Sequence, residues 1–128
     1  SVQSERATVV LTPDKDGHFV SLGSINGASV RFLVDTGATM VSMNVDEARR
    51  AGVNYLAGEK GYSQTANGVA AVYKVKLSQV TLGDITLRDI DGSVHESNAL
   101  PLVLLGMSFL GKLEMRRDGE SLTLTRRY

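Results

Sequence analysis

Short apolar runs separated by glycine-containing turns fill most of this chain, and the pattern predicts an all-β protein. Turns are predicted at Asn26-Gly27, Asn67-Gly68 and Gly83-Asp84, each between two runs of strand-forming residues. A further turn is predicted by composition at residues 13–17. The predicted strands cover residues 8–11, 18–22, 28–34, 62–65, 69–77, 80–82, 85–87, 102–106 and 120–125.

Helical signals are few. Residues 45–51 predict one short helix, with Asn44 as its N-cap and Gly52 as its C-terminal stop. A second short helix is predicted at residues 107–110. The chain is therefore expected to be a β-protein with one or two short helices.

One predicted strand ends on a carboxylate. The apolar run Phe32-Leu33-Val34 leads directly into Asp35, which is followed by Thr36 and Gly37. Such a run indicates a buried strand, and it brings Asp35 to a place where a carboxylate is costly to desolvate. Perturbed acidic groups of this kind are common at functional sites. Asp before Gly is also an ordinary turn signal, so the tripeptide alone leaves both interpretations open.

A second strand that ends on glycine lies later in the chain, at Leu102–Gly106. The two regions form a weak internal repeat, in which Asn26-Gly27 aligns with Gly83-Asp84. Both units are interpreted as hairpin, strand, glycine turn and short helix. In this alignment Leu104-Leu105-Gly106 has no carboxylate where the first unit has Asp35.

Taken together, these two elements resemble the aspartic proteases of the retropepsin type, particularly small bacterial members with one Asp-Thr-Gly per chain. The resemblance extends from about Ala7 to Tyr128. It implies an all-β, retropepsin-like closed β-barrel, with residues 1–128 forming a single protease domain. It also implies that Asp35 is catalytic and that a hairpin flap lies between the two elements.

The resemblance further implies roles for the neighbouring residues. Thr36, Gly37 and Ala38 would form the active-site loop, and Leu104, Leu105 and Gly106 would support it. Position alone places the tip of the flap at Ala66, Asn67 and Gly68, where it would contact the substrate.

One candidate carboxylate per chain implies a homodimer. Peptide hydrolysis without a metal or a covalent nucleophile needs both a base and an acid, and two adjacent carboxylates supply them. The second Asp35 would therefore come from another copy, and the pair would activate a water against an extended polypeptide. Two alternatives stay open: a non-catalytic peptide-binding or dimerisation module of the same fold, and a latent enzyme that dimerises at a membrane or after processing. The strand at residues 120–125 is a candidate for the dimer interface.

Composition excludes several other functions. The 14 basic and 14 acidic residues cancel, and aromatic residues are few, so the chain has no pattern typical of nucleic-acid binding. It contains no cysteine. Asp14-x-Asp16 begins like a calcium loop, but Phe19 stands where glycine is required, and the two histidines have no zinc-site spacing. We expect neither a metal nor a cofactor.

The chain begins at Ser1, and bacterial proteins that it resembles often have an N-terminal membrane anchor. The full-length protein is therefore expected to be anchored in the inner membrane or to lie in the periplasm. The longest apolar run, residues 99–107, is interrupted by Pro101 and is shorter than the roughly 20 residues that span a bilayer. Residues 1–128 themselves are expected to be soluble.

Overall fold

Ten strands, two short α-helices and one 3-10 helix are formed by the residues that the computed structural model describes, 6–96 and 102–127. The helices are α1 (Val45–Arg50) and α2 (Met107–Leu110), and the 3-10 helix is Tyr55–Ala57. The strands are β1 (Thr8–Leu11), β2 (Val20–Ile25), β3 (Ala28–Val34), β4 (Val41–Asn44), β5 (Glu59–Thr65), β6 (Gly68–Leu82), β7 (Ile85–His95), β8 (Val103–Leu105), β9 (Leu113–Asp118) and β10 (Ser121–Arg126).

Six of these strands close into a barrel. Their order is β2-β3-β8-β4-β7-β6, and β2 also pairs with β6, which joins the two ends of the sheet. β5 extends outward from β6 as the arm of a long hairpin. The pairs β3–β8 and β4–β7 are parallel, whereas the other pairs are antiparallel. The predicted all-β, retropepsin-like closed barrel with two short helices is confirmed.

Barrel closure depends on one glycine in β2. A Cβ atom on Gly23 would collide with the backbone carbonyl oxygen of Thr81 in β6 and would lie 2.6 Å from the Phe32 ring. The glycine therefore lets β2 and β6 approach each other over a core that includes Phe32, which is fully buried. The other fully buried large side chains are Ile25, Met43, Leu77, Leu82, Ile85, Ile90, Leu105, Phe109, Leu110, Leu113 and Leu124.

The barrel repeats its own topology. Exchanging β2, β3 and β4 for β6, β7 and β8 converts the parallel pair β3–β8 into the parallel pair β7–β4. This agrees with the internal repeat expected from the sequence. The alignment at Asp35 was wrong, however, because β8 followed by α2 matches β4 followed by α1. The counterpart of Asp35 lies after β7, and Gly106 is instead the counterpart of Asn44.

Several local predictions are confirmed. Asn26 and Gly27 have φ values of 52° and 85° in the tight turn between β2 and β3. The Oδ1 atom of Asn44 accepts a 2.9 Å hydrogen bond from the backbone N–H of Glu47 and caps α1. The sequence did not predict β4, β9 or the 3-10 helix.

The long hairpin differs from its prediction in three ways. Its first strand, β5, begins at Glu59 rather than at Tyr62. Thr65 pairs with Gly68, so the two turn residues are Ala66 and Asn67 rather than Asn67 and Gly68. Its second strand, β6, runs without a break to Leu82, although Leu77 was expected to end it. From Ala71 to Leu77 the odd-numbered side chains of β6 are buried, but after Ser78 the phase changes and the even-numbered Val80 and Leu82 are buried.

A second, smaller sheet lies at the chain ends, in the order β1-β10-β9. The strand predicted at residues 120–125 is β10, and it lies in the centre of this sheet. No helix in the described parts of the chain is long and apolar enough to cross a membrane. The anchor expected before Ser1 stays a prediction.

Candidate active site

Asp35 lies immediately after β3, where it is half-buried. Its backbone N–H donates a 3.1 Å hydrogen bond to the carbonyl oxygen of Leu105, which continues the parallel ladder between Val34 and Leu105. Two core strands therefore fix the backbone of Asp35 before its side chain makes any contact.

The carboxylate of Asp35 is bonded on one oxygen. Its Oδ1 atom accepts a 2.9 Å hydrogen bond from the backbone N–H of Gly37. The backbone carbonyl oxygen of Asp35 accepts a 3.1 Å hydrogen bond from the N–H of Ala38. Among residues 6–96 and 102–127, Oδ2 accepts no hydrogen bond, and no Lys, Arg or His forms an ion pair with Asp35. A half-buried carboxylate with one unbonded oxygen is available for chemistry or for a second carboxylate.

The glycine of the motif leaves room beside this carboxylate. A Cβ atom on Gly37 would lie 3.2 Å from Oδ1 of Asp35, so a larger residue would crowd the turn. Thr36 is exposed and Ala38 is half-buried. The predicted loop residues thus form the turn that follows Asp35, and their catalytic role stays a prediction.

The start of α2 holds the loop that follows Asp35. The backbone N–H groups of Met107 and Ser108 donate 2.8 Å hydrogen bonds to the carbonyl oxygens of Ala38 and Thr39. A Cβ atom on Gly106 would collide with the Met40 carbonyl oxygen and would lie 2.7 Å from that of Ala38. Gly106 is therefore at the contact between this loop and α2.

The two leucines before Gly106 also adjoin the site. Leu105 is fully buried and pairs with Val34, and Leu104 pairs with both Leu33 and Ser42. The structure thus brings the predicted supporting residues next to Asp35.

Ser108 adds a contact that the sequence did not indicate. Its hydroxyl accepts a 3.1 Å hydrogen bond from the N–H of Val41 and donates one of 2.7 Å to the carbonyl oxygen of Asp91. It therefore links the end of the Asp35 loop to β7. A serine in a short helix gives no sequence signal for such a role, because its partners are backbone atoms.

A row of hydrogen-bonded polar side chains lies beside the loop that follows Asp35. The Oγ atoms of Ser42 and Ser93 lie 2.8 Å apart, and Ser93 Oγ lies 3.1 Å from Nε2 of His95. Ser42 also donates a 3.3 Å hydrogen bond to the Met40 carbonyl oxygen. His95, at the end of β7, is half-buried, and this burial lowers the pKa of its imidazole.

The lowered pKa of His95 predicts a stability change with pH. Between its folded and unfolded pKa values the unfolded chain binds more protons, so folding stability falls as the pH decreases below about 6.5. His95→Gln should flatten this part of the profile, as measured by urea unfolding at several pH values. His18→Gln is the matched control, because His18 is exposed. An unchanged pH profile in His95→Gln would contradict this assignment.

The predicted flap residues lie at the tip of the β5–β6 hairpin. Ala66 and Asn67 are exposed and Gly68 is half-buried with a φ of 108°. An open groove of about 410 Å³ lies along this hairpin, and Asp35 is not among the residues that line it. The lining residues are Met40, Glu59, Lys60, Gly61, Tyr62, Ser63, Val72, Lys74, Ser93 and His95.

Asp14, Asp16 and His18 come closest to a metal-binding arrangement in the described residues, with ligand atoms within 4.8 Å of one another. All three are exposed. Oδ1 of Asp14 already accepts 2.9 Å hydrogen bonds from the N–H groups of Asp16 and His18, and the bond from His18 is the main cause of the lowered pKa of Asp14. The cluster is explained as the turn predicted at residues 13–17.

Known proteins match both the sequence and the fold. The family model for gag-polyprotein putative aspartyl proteases matches residues 21–112. An uncharacterized protein of Sinorhizobium sp. is 36% identical over 112 residues, which is 84% of this chain and 46% of that protein. An uncharacterized protein of Rickettsia prowazekii is 30% identical over 123 residues, which is 94% of this chain and 52% of that protein. The chain thus spans about half the length of the curated relatives it matches.

Solved structures extend the match. A retropepsin-like aspartic protease from Rickettsia conorii superposes with a TM-score of 0.77 and 26% identity, covering 95% of this chain and 91% of that one. The retroviral protease-like domain of Ddi1 from Leishmania major gives a TM-score of 0.62 at 21% identity, covering 88% of this chain and 84% of that one. The EIAV protease in complex with an inhibitor gives a TM-score of 0.59 at 16% identity, covering 79% of this chain and 92% of that one. These last two matches show the fold alone. The chain therefore belongs to the family of gag-polyprotein putative aspartyl proteases and has the retropepsin-like aspartic protease fold.

Proposed function

We propose that this protein is an aspartic endopeptidase that is active as a homodimer, with one Asp35 from each subunit. The state of Asp35 within one chain is the main support. Its carboxylate is half-buried, is bonded on Oδ1 by the Gly37 N–H, and has no cation beside it among the described residues. A carboxylate kept in this state suits contact with a second carboxylate.

A single carboxylate cannot carry out both halves of the reaction at once. Attack by water needs a base to remove a proton, and the amide carbonyl needs an acid as negative charge develops on its oxygen. Two carboxylates in contact cannot both ionise, so they share one proton and supply both groups. In a C2 dimer the same residue of each subunit meets its copy on the axis.

The proposed reaction uses only these groups and water. The ionised Asp35 takes a proton from water, whose oxygen bonds to the carbonyl carbon, while the protonated Asp35 donates its proton to the carbonyl oxygen. The tetrahedral intermediate then collapses: one of its two hydroxyl groups gives its proton to the ionised aspartate as the C=O bond forms again, the C–N bond breaks, and the leaving amine takes a proton from the other aspartate. The products are a carboxylic acid and an amine, and the two aspartates again share one proton.

The neighbouring residues serve to keep the two carboxylates in place. Gly37 and Ala38 position Asp35 through their N–H groups, and Gly106 lets the loop lie against α2. Thr36, which is exposed, would bond across the dimer axis through its hydroxyl. Leu104 and Leu105 keep the strand beside β3 rigid.

We propose that the substrate is an extended polypeptide, bound beneath the β5–β6 hairpin. An extended peptide can pair with an exposed strand through backbone hydrogen bonds, which gives affinity with little sequence preference. Ala66, Asn67 and Gly68 at the tip would close over the peptide, and the groove beside Met40 and Tyr62 would accept a side chain. Tyr62 is 70% exposed in the single chain and would lose much of this exposure to a bound peptide.

Digestion of a diverse peptide library separates this function from that of a peptide-binding module with the same fold. We expect cleavage by the protein and none by its Asp35→Asn variant at equal concentration. A hydroxyl-bearing mimic of the tetrahedral intermediate should block the reaction, because such mimics bind more tightly than substrates. Peptide binding without cleavage, or equal cleavage by both proteins, would reject the protease.

A further inference from the structure

The row of hydrogen bonds beside the Asp35 loop fixes where the proton lies on the imidazole of His95. The Ser42 hydroxyl donates to the Met40 carbonyl oxygen, which can only accept, so the Oγ atom of Ser42 accepts from Ser93. The Ser93 hydroxyl has then given its only proton, and its 3.1 Å contact with Nε2 of His95 requires the ring to donate. A neutral His95 therefore has its proton on Nε2 and a lone pair on Nδ1.

This Nδ1 atom is an acceptor without a donor. Among residues 6–96 and 102–127, no group donates a hydrogen bond to it. Because burial lowers the pKa of the imidazole, the ring is neutral near pH 7 and Nδ1 keeps its lone pair. A ligand that covers such an acceptor without supplying a donor loses free energy.

His95 belongs to the wall of the groove beside the β5–β6 hairpin. Val72 pairs with Gly61 on one side and with His95 on the other, so these three residues lie side by side on one face of the sheet. A Cβ atom on Gly61 would have only the Val72 carbonyl oxygen near it, at 3.9 Å. Because Gly61 has no side chain, β5 places nothing over this part of the groove.

The charged residues of the groove favour neither an acidic nor a basic ligand. Lys74 lies directly opposite Glu59 on the same face of the hairpin, so their charges offset each other. Lys60 pairs with Tyr73 and points to the other face, where its ammonium lies 5.6 Å and 5.9 Å from the ring centres of Tyr62 and Tyr73. The groove therefore selects by hydrogen bonding.

Ser63 adds a hydroxyl to the same groove. It lies two residues beyond Gly61 in β5 and so faces the same way, and it is half-buried. Within the described ranges its side chain forms no hydrogen bond. The groove thus offers one acceptor, Nδ1 of His95, and one hydroxyl. A carboxamide matches both groups, because it carries N–H donors and a carbonyl acceptor.

We propose that His95 determines the substrate preference of this protein, and that the groove takes a carboxamide side chain, Gln or Asn, of an extended polypeptide. The side-chain N–H donates to Nδ1 of His95, and the side-chain oxygen accepts from the Ser63 hydroxyl. Met40, five residues after Asp35, also lines the groove, so a peptide held at Asp35 beneath the hairpin reaches it. The proposal rests on the proposed function and names the substrate that the same site selects.

The proposed dimer repeats this groove about its twofold axis. A bound peptide therefore meets one copy of His95 on each side of the bond that is cleaved. We expect the carboxamide preference at two positions of the substrate, at equal distances from that bond.

Peptides that differ in one side chain test the preference. A peptide is chosen from a diverse library by cleavage or, without cleavage, by binding to Asp35→Asn, and each of its positions is set in turn to Gln, Glu or Met. These side chains are similar in size, and only Gln can donate to Nδ1 near pH 7. At the selected positions kcat/KM for Gln should exceed that for Met and for Glu roughly tenfold. Asn, Asp and Leu form a second set of matched size.

Two substitutions of His95 separate recognition from a structural role. His95→Asn places an amide oxygen near the position of Nδ1 but does not reach Ser93, whereas His95→Gln reaches Ser93 and has no acceptor at the position of Nδ1. We expect the ratio of kcat/KM for the Gln and Met peptides to persist in His95→Asn and to fall to about one in His95→Gln. Each ratio compares two peptides with the same protein, so a smaller folded fraction cancels.

The outcomes separate the preference from the chemistry. A ratio of about one in the original protein, a ratio that persists in His95→Gln, or a ratio that is lost in His95→Asn would overturn the role of His95 and leave the protease standing. Fluorescence anisotropy of the same peptides with Asp35→Asn gives the preference in binding. Preferred binding of the Gln peptide without cleavage by the original protein would support the role of His95 and overturn the protease. Absence of both binding and cleavage would overturn both.

Discussion

Replacement of Asp35 by Asn is expected to lower kcat/KM for peptide cleavage by roughly 10³-fold, because it removes both the general base and the proton carrier. The change is nearly isosteric. The Asn Oδ1 atom can still accept the hydrogen bond from the Gly37 N–H, so the turn between Asp35 and Ala38 should keep its shape. Initial rates on a peptide found by library digestion give the measurement, and thermal unfolding checks that the variant is folded.

Asp84→Asn is the matched control for this change. Asp84 is exposed in the turn between β6 and β7, and the same carboxylate-to-amide substitution there should leave kcat/KM unchanged. Equal loss in both variants would indicate a general charge effect rather than the removal of a catalytic group. Full activity in Asp35→Asn would contradict the proposed mechanism.

Gly106→Ala is expected to disturb the site without touching a reacting atom. The added methyl group collides with the Met40 carbonyl and crowds that of Ala38, so the Asp35 loop must move away from α2. Such overpacking costs roughly 1–3 kcal/mol of unfolding free energy. A shift of about 1 Å in a catalytic group lowers activity by roughly 10²-fold, and we expect a loss of this size in kcat.

Leu110→Ala separates loop displacement from lost stability. Leu110 is fully buried in α2, and its truncation should cost about 2–5 kcal/mol by leaving a cavity. It places no atom against the loop, so activity per folded molecule should be largely retained. Urea unfolding and kcat measured together on both variants make the comparison. A fully active Gly106→Ala protein would show that the contact with α2 does not position Asp35.

Much of the barrel could be predicted because its signals are local. The Asn26-Gly27 turn, the strand Ala28–Val34 and the Asn44 cap depend on residues next to one another in sequence. The strand β4 was missed because Val41–Asn44 is four residues long and three of them are buried, so it shows no alternation. The continuous strand β6 was divided because Ser78 and Gln79 interrupt its apolar pattern.

The candidate site was predicted only in part, for the same reason. Asp35, Gly37 and Gly106 belong to short motifs, and the structure brings them together. The roles of Ser108 and of the Ser42–Ser93–His95 chain depend on contacts between residues distant in sequence. No spacing rule indicates such contacts, because parallel pairing of β4 with β7 creates them.

Mixing two proteins tests most directly whether two copies of Asp35 form one active site. Asp35→Asn is added to a fixed amount of the original protein, and the subunits are allowed to exchange before cleavage is measured. With equal amounts, random pairing leaves about half of the original chains in fully active dimers, so activity should fall to about half. Addition of Asp84→Asn instead should raise the activity. Activity that stays constant after Asp35→Asn has exchanged would contradict the account, because each Asp35 would then be working alone.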